Sequence, residues 1–440
     1  MESVKLLPGG VNSSSSRCLC WLPDCLIFAC HNVIYVVSAE TQEVLTSAIG
    51  HSDRVNSLSW APCADVGGDV SSWMVVSGSC DGTVRVWRLV VESGSSAMVK
   101  EIALLTDAES GSILSVSALR TTHGLVCAAA GAEGVLILWT STSSEGDDDT
   151  DGTFSVAVRK QLPPTQTPRD VHLHPLHRDS GTTTGIGELR GVMVFTAAVD
   201  SRIHLKCLGC TWASEAGDAV SVQEQGWSSE LTSLGVLSGH EDWVTHLATV
   251  AVTSATRGSE VMLASSSQDG KIRLWRISPG ADEAGAAAVE NGDGCGNSRK
   301  PDIEDSNEED DDDVEDERAA LRRVLDEESE KEEARIRFSL WGRSYYVFLD
   351  ALCVGHDDFV TSVHWLHDER TDALQLFSTS MDRNMMIWEM DTATAVWMPI
   401  VRIGDVGGTL GGTMSAIAML RENYPELYEQ YKDSPDLERV

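Results

Sequence analysis

Apolar residues occur along most of this chain in short runs that are separated by polar turn residues. Val84 and Val86 alternate with Thr83 and Arg85, which is the pattern of a strand with one buried face. Comparable apolar runs occupy residues 18–22, 26–29, 33–37, 125–130, 135–139, 191–197 and 202–206. The pattern therefore predicts an all-β chain built from many short strands.

A set of four residues recurs around these strands. A Gly-His pair is followed by a Ser, then by an Asp four residues after the Ser and a Trp six residues after the Asp. Such side chains can hydrogen-bond in series and hold together a four-stranded sheet that has little core of its own. With a repeat length near 40 residues, this spacing resembles WD40 β-propeller blades. The three sets, called the blade tetrads below, are His51, Ser77, Asp81 and Trp87; His240, Ser265, Asp269 and Trp275; and His356, Ser378, Asp382 and Trp388.

Other segments fit the repeat less well. One unit ends at Glu133 and Trp139 without a preceding Gly-His, and another has Asp200 with Lys206 in place of Trp. Residues 17–38 form a first unit without the Trp of the tetrad, and residues 397–408 resemble the opening of a seventh. We therefore predict a WD40 β-propeller over residues 1–410, of the seven-bladed type with its last blade incomplete. A ring with a gap and a second propeller missing from the chain would follow.

The segments outside the repeats differ in composition. Eighty residues separate Trp275 from His356, and residues 301–333 hold 18 acidic and four basic residues. Residues 280–337 are predicted to be an acidic, largely disordered insertion, with a charged helix over 314–337. Residues 411–440 place Leu420, Tyr424 and Leu427 at helical spacing, which predicts a helical tail.

Composition narrows the functional class. The 440 residues include 68 acidic and 33 basic residues, a net charge of −35, which disfavours direct binding to nucleic acid or anionic lipid. Eleven irregularly spaced cysteines favour reduced thiols inside the cell. Neither a signal peptide nor a membrane span is predicted, because the most apolar stretch, residues 18–37, is interrupted by polar residues.

Three motifs resemble chemical sites, and for each of them a structural or solvent-exposed role is favoured. The repeated His, Ser and Asp residues match the residue types of a hydrolase triad, but a triad occurs once per enzyme. Residues 147–152 match the start of a calcium loop, yet Val158 stands where a bidentate Glu is required. A zinc site drawn from the set His172, His174, His177, Cys207 and Cys210 lacks a recognised spacing. We therefore expect no catalytic residue, cofactor or metal, and assign the tetrads a structural role.

Several stretches are more specific than the repeat. Residues 239–244, 264–275, 355–360, 378–388 and 401–408 resemble the second subunit of the Elongator complex, as do residues 50–56. The run Val-Arg-Ile-Gly-Asp-Val-Gly-Gly at 401–408, after Trp397, is uncommon among WD40 proteins. The resemblance covers about residues 17–410, in the order of that family's first propeller, and the chain departs from the family after Gly412.

The resemblance implies a function. Members of this family carry two propellers and act as a non-catalytic scaffold in an assembly that modifies the wobble uridine of transfer RNA. It implies as partners the large scaffold subunit and the catalytic acetyltransferase-like subunit, and a location in the cytoplasm and nucleus. Two alternatives remain open: a WD40 adaptor of a chromatin or ubiquitin-ligase assembly, and a metal-dependent enzyme or sensor built on the His172 group.

Overall fold

The structure is a computed structural model. It describes residues 12, 17–63, 70–92, 96–141, 153–177, 189–211, 226–254, 258–280, 336–368, 373–391 and 394–404. These residues form strands in six sheets, and their only helical element is one 3-10 turn, Pro164–Gln166. In this part of the chain no helix is long and apolar enough to cross a membrane.

The first two sheets each contain four antiparallel strands paired in chain order. Ile27 and Val36 of the first sheet share one buried apolar cluster with Leu58 and Leu89 of the second. The core therefore lies between neighbouring sheets. The first sheet contains β1 (Leu19–Trp21), β2 (Cys25–Cys30), β3 (Val33–Ser38) and β4 (Val44–Ile49), and the second contains β5 (Val55–Pro62), β6 (Val70–Ser79), β7 (Thr83–Glu92) and β8 (Ser96–Thr106).

The third and fourth sheets follow the same plan. The third contains β9 (Ile113–Thr121), β10 (Gly124–Gly131), β11 (Val135–Ser141) and β12 (Phe154–Gln161). The fourth contains β13 (Pro168–His177), β14 (Leu189–Ala198), β15 (Ile203–Thr211) and β16 (Gly226–Leu237). Every residue of β10 and β11 is buried. Because strand side chains alternate between faces, Leu125 and Cys127 join the cluster shared with the second sheet, whereas Val126 and Ala128 join the one shared with the fourth.

The last two sheets differ in strand number. The fifth contains β17 (Val244–Ser254), β18 (Gly258–Ser267), β19 (Lys271–Pro279), β20 (Ile336–Leu340) and β21 (Arg343–Val354), in the order β17-β18-β19-β21-β20. The sixth contains β22 (Val360–Asp368), β23 (Ala373–Ser380), β24 (Asn384–Asp391) and β25 (Val396–Gly404), paired in chain order.

The chain divides into two compact units. The first comprises Met1–Thr249, Ala264–Leu274 and Ala351–Val440, and the second comprises Val250–Leu263 and Trp275–Asp350. Within the second unit, Arg276 lies between two carboxylates, with its Nη1 2.8 Å from Glu260 Oε2 and its Nε 2.8 Å from Asp350 Oδ1. These ion pairs link β18, β19 and β21.

Within the first unit, small polar side chains join the first strands of neighbouring sheets. Ser57 Oγ on β5 accepts a hydrogen bond from Val116 N on β9 at 3.0 Å. Ser117 Oγ on β9 accepts one from Leu173 N on β13 at 3.2 Å. Since these strands do not pair as a sheet, such hydrogen bonds satisfy backbone groups that would otherwise be buried without partners.

The predicted seven-bladed type with an incomplete last blade is wrong, because the described residues form six blades. The run that begins at Trp397 was expected to open a seventh blade. Its described part, residues 397–404, belongs to β25, which pairs antiparallel with β24. Asn384 lies opposite Gly404 at one end of this pairing, and Asp391 lies opposite Val396 at the other. The prediction ended the sixth blade at Trp388, on its third strand. In the structure β25 is the fourth strand of that sheet.

The predicted insertion is shorter than expected at its C-terminal end. Ile336 and Arg337, placed at the end of a charged helix, belong to β20 and pair with Val347 and Tyr346. Phe338 stacks on Tyr345 with ring centroids 5.3 Å apart, which explains why this part adopts a hairpin. The rest of the predicted helix and the tail 411–440 lie outside the described residues.

Candidate functional site

The tetrad of the second sheet is a continuous hydrogen-bonded network. Trp87 Nε1 donates to Ser77 Oγ at 2.8 Å. Ser77 Oγ lies 2.8 Å from His51 Nε2, and His51 Nδ1 lies 3.0 Å from Asp81 Oδ2. Because the indole only donates and the ionised carboxylate only accepts, the hydroxyl donates to Nε2 and His51 carries its proton on Nδ1. Ser77 thereby both donates to His51 and accepts from Trp87.

The sixth sheet repeats this geometry. His356 Nε2 and Trp388 Nε1 each lie 2.8 Å from Ser378 Oγ, and His356 Nδ1 lies 2.9 Å from Asp382 Oδ2. The carboxylate also accepts the backbone N–H of Asp357 at 3.0 Å. The network therefore fixes the loop before the sheet to the turn between its second and third strands.

The fifth sheet brings its tetrad residues to equivalent positions. His240 Nε2 lies 2.8 Å from Ser265 Oγ, and His240 Nδ1 lies 2.9 Å from Asp269 Oδ2. Trp275 is buried on β19. The turn after Asp269 uses Gly270 with φ +76°, a conformation that glycine adopts without strain.

Burial and hydrogen bonding set the protonation states of the tetrads. Burial alone would raise the pKa of Asp81, but hydrogen bonds from Thr83 and Ser52 hold it at about 2. Burial likewise opposes the hydrogen bonds that His240 and backbone groups give to Asp269, whose pKa is also about 2. Burial lowers the pKa of His51 and His240, although their carboxylate partners oppose this shift. Each of these pairs is therefore a neutral imidazole hydrogen-bonded to a carboxylate at pH 7.

The fourth sheet has a comparable hydrogen-bonded network that is made of other residues. Thr196, Asp200 and Lys206 keep the four- and six-residue spacing of Ser, Asp and Trp. The Lys206 ammonium donates to Thr196 Oγ1 at 3.0 Å, and His204 Nε2 lies 3.0 Å from Asp200 Oδ2. Burial lowers the pKa of Lys206 to about 8. The histidine that contacts the carboxylate, His204, lies here on the third strand, whereas the tetrad histidines lie in the loop before their sheet.

A second buried network, the Arg17–Asp170 network, joins several sheets of the first unit. Arg17 Nε and Nη2 donate to the two carboxylate oxygens of Asp170 at 2.7 and 2.8 Å. Asp170 also accepts from Ser115 Oγ at 2.6 Å and from Leu247 N at 2.9 Å. Arg17 Nη2 donates to Leu247 O at 2.9 Å, and Arg17 O accepts from Leu58 N at 2.7 Å. Arg17, two residues before β1, thus contacts the first strands of three other sheets, and Asp170 links a fourth through Ser115.

Four histidines lie beside this network. His172 Nε2 and His174 Nδ1 each lie 2.9 Å from Thr249 Oγ1. The rings of His246 and His364 have centroids 5.0 Å apart. Burial lowers the pKa of His174 and of His364 to about 4. Burial and the neighbouring Arg17 charge lower the pKa of His172 and of His246 well below the usual value.

Two of the three candidate chemical sites, the blade tetrads and the His172 group, lie within the described residues. Within the described ranges, no three His, Cys, Asp or Glu side chains are arranged to hold a metal ion. Burial raises the pKa of the Cys207 thiol to about 12, which disfavours the thiolate that zinc requires. The loop 147–152 lies outside the described residues.

The sequence interpretation missed Arg17, Ser115 and Asp170. No repeat position marks them, because their partners are 55 to 230 residues away along the chain. One available signal was the placement of polar residues two apart on first strands, as in Ser115 with Ser117 and Asp170 with His172. Polar residues at that spacing on otherwise apolar strands indicate buried hydrogen bonding.

Three segments of the chain match a known protein-family model. The WD40 description, "WD domain, G-beta repeat", matches residues 42–88, 231–276 and 349–389. These segments include all twelve residues of the three blade tetrads. The chain therefore contains WD40 repeats, as the tetrad spacing predicted.

Most of the chain is similar to proteins named Elongator complex protein 2. The relative from Dictyostelium discoideum is 26% identical over 433 residues, covering 92% of this chain and 43% of the relative. The Drosophila melanogaster relative is 26% identical, covering 96% of this chain and 45% of its own length. The Schizosaccharomyces pombe relative is 30% identical over 200 residues, or 45% of this chain and 21% of its own. The resemblance drawn from the motifs is confirmed, and the chain spans less than half the length of these relatives.

Proposed function

We propose that this chain is a non-catalytic scaffold subunit of an Elongator complex. The observation that carries the proposal is similarity to Elongator complex protein 2 over 92% and 96% of the chain in two distant eukaryotes. The proposed partners are the large scaffold subunit and, through it, the catalytic acetyltransferase-like subunit. The proposed location is the cytoplasm and nucleus.

A structural role for the tetrads supports the non-catalytic part of the proposal. Ser77 and Ser378 are fully buried, and each hydroxyl lies between a histidine and a tryptophan. A nucleophilic serine needs access to substrate and a free path for its proton. Each serine has a proton path through its histidine but lacks access to substrate, because it is fully buried and its oxygen also accepts the Trp indole N–H.

The proposed biochemical role is to support modification of the wobble uridine of transfer RNA through protein-protein contacts. A net charge of −35 agrees with an indirect role, because an acidic surface repels the phosphate backbone of RNA. The alternative of a WD40 adaptor in a chromatin or ubiquitin-ligase assembly predicts different partners. A metal-dependent sensor predicts bound metal.

Affinity purification from the source cells tests the proposal. The tagged chain is expected to co-elute in fixed stoichiometry with the other Elongator subunits, identified by mass spectrometry. Depletion of the chain should lower wobble-uridine modification in total transfer RNA, measured by nucleoside mass spectrometry. Stoichiometric recovery of a chromatin or ubiquitin-ligase assembly in place of Elongator would refute the proposal, and stoichiometric zinc in the purified chain would support the sensor.

A further inference from the structure

The first unit contains a cavity of about 590 Å³ that the proposed function does not use. Its lining comes from the starts of β5, β9, β13, β17 and β22 and from turns of the fifth and sixth sheets. Binding cavities for small molecules and peptide side chains typically measure about 300 to 1,000 Å³. This cavity therefore accommodates several side chains but not a folded domain.

The charge of the lining is unusual for so acidic a chain. Arg54 and Arg169 both line the cavity and are exposed. Arg54 donates to Asn56 Oδ1 at 3.2 Å, and the Arg169 guanidinium lies 5.2 Å from the centre of the Trp243 ring. Neither has a carboxylate partner among the described residues, whereas Arg159 pairs with both Asp107 and Glu109. Two guanidinium groups thus remain available for an anionic ligand.

The carboxylates close to the cavity do not neutralise these arginines. Asp170 is the acidic residue of the lining, and its oxygens are already bound by Arg17, Ser115 and Leu247. Asp53, which precedes Arg54, accepts the backbone N–H of Arg54 and does not line the cavity. Because the surrounding surface is acidic, attraction by the two arginines acts at contact distance and not by long-range steering.

The cavity also presents apolar side chains. Trp243 is 40% exposed, Phe359 is 43% exposed and Met381 is 63% exposed. Arg54, Trp243 and Phe359 occupy the same repeat position, three residues after the tetrad histidine. This position directly precedes the first strand of each of the three sheets. The guanidinium of Arg54, the indole of Trp243 and the phenyl group of Phe359 therefore line one cavity. Trp and Arg are the residues most enriched where interfaces gain their binding energy.

We propose that this cavity binds a short acidic peptide segment of a partner protein. Carboxylates of the peptide pair with Arg54 and Arg169, and an aliphatic or aromatic side chain between them packs on Trp243, Phe359 and Met381. Two cations in a compact cavity suit two carboxylates, whereas single-stranded nucleic acid requires a basic groove that follows its backbone. The site does not depend on which complex the chain enters.

Fluorescence anisotropy with the full 440-residue chain tests this site. The probe is a fluorescein-labelled eight-residue peptide with four acidic residues around a central Leu-Phe pair. Matched probes replace every acid by Lys or the Leu-Phe pair by two Ala, and an eight-nucleotide single-stranded RNA serves as the phosphate probe. We expect saturable binding of the acidic apolar peptide, binding at least about tenfold weaker for both altered peptides, and none for the RNA.

Substitutions locate the binding. Arg54→Ala and Arg169→Ala should each weaken binding about fivefold to tenfold, because each removes one charge-assisted contact. Trp243→Ala should weaken it through the apolar contact. Arg120→Ala is the matched control, because Arg120 is equally exposed but lies on β9 away from the cavity, and it should leave affinity unchanged.

Four results would overturn the proposal. They are failure of every acidic peptide to bind, equal binding of the lysine peptide, unchanged affinity in both arginine variants, and RNA binding that competes at the same residues. Because Arg54 and Arg169 are exposed, their variants should melt at the wild-type temperature. Should either melt lower, Arg54→Lys and Arg169→Lys keep the charge, and the proposal requires them to bind more tightly than the alanine variants.

Discussion

The blade tetrads and the Arg17–Asp170 network are both buried and hydrogen-bonded, but they connect different parts of the molecule. A tetrad joins residues 10 to 30 positions apart within one repeat. The Arg17–Asp170 network joins residues 153 and 230 positions apart, from different sheets. The repeat therefore encodes the stability of each sheet, whereas the attachment of sheets to one another depends on residues outside the repeat.

Acid should destabilise the protein through the four histidines beside the Arg17–Asp170 network, and this is the largest effect we expect. Folded His172, His174, His246 and His364 have lowered pKa values, so the unfolded chain binds more protons below its own histidine pKa near 6.5. Stability is fully present above that pH and falls as the pH decreases. Four such histidines cost about 4 to 5 kcal/mol between pH 6 and pH 5. Urea unfolding at pH 7, 6 and 5 measures this slope.

A single substitution tests the origin of the slope. His364→Gln should reduce it by about 1.4 kcal/mol per pH unit, the value for one proton. His31→Asn is the control, because His31 is exposed and its φ of +55° is tolerated by Asn. An equal slope in the wild type and in His364→Gln would show that other groups cause the acid sensitivity.

Asp170→Asn should give the largest loss at neutral pH. It keeps the shape of the side chain but leaves Arg17 without its counter-charge, and breaking a buried ion pair in this way costs about 3 to 5 kcal/mol. Thermal and urea unfolding at pH 7 measure the loss. Asp107→Asn, which breaks an exposed pair with Arg159, should cost much less. Similar losses for both variants would contradict the special role of the buried network.

Asp269→Ala tests a tetrad and should cost about 1 to 3 kcal/mol, because His240 loses its acceptor in a buried position. Glu133→Ala is the matched control, since Glu133 holds the equivalent repeat position in a sheet without a preceding Gly-His. The difference between their urea midpoints is the measurement. If Glu133→Ala were as destabilising as Asp269→Ala, the histidine contact would not be the source of the loss.

The smallest effect concerns Lys206 in the fourth sheet. Its folded pKa of about 8 is below the usual lysine value, so the unfolded state binds more protons between the two values. Wild-type stability should therefore rise relative to Lys206→Met by about 1 to 2 kcal/mol between pH 8 and 9.5. Comparing the two proteins at each pH removes the contribution of other alkaline groups, and a constant difference would contradict a buried, charge-penalised lysine.

The sequence was sufficient for the parts of the fold that the repeat determines. The spacing of Ser77, Asp81 and Trp87 predicted WD40 strands because hydrogen-bond geometry fixes those offsets. The number of strands in each blade was harder to predict. No residue after Trp388 distinguishes the fourth strand of one blade from the first strand of the next. The same applies to β20 and β21, whose apolar residues follow a long acidic segment and were not recognised as part of the fifth sheet.

The candidate binding cavity could be predicted even less well. Arg54, Trp243 and Phe359 share a repeat position, but a shared position does not reveal that the three side chains face one space. Asp170 adjoins them only through the arrangement of first strands. Periodicity reports which face of a strand is buried, and it contains no information on how separate sheets are placed.

The position of Arg17 near the start of the chain also imposes an order on folding. During synthesis, Arg17 leaves the ribosome before its partners Asp170 and Leu247 have been translated. The early sheets can form their own strands from local contacts, but Arg17 cannot yet bind Asp170 or Leu247. Contacts of such sequence separation form slowly, because a long loop must close before they contribute. Translation of residue 247 is thus the earliest moment at which the nascent chain can complete the Arg17–Asp170 network.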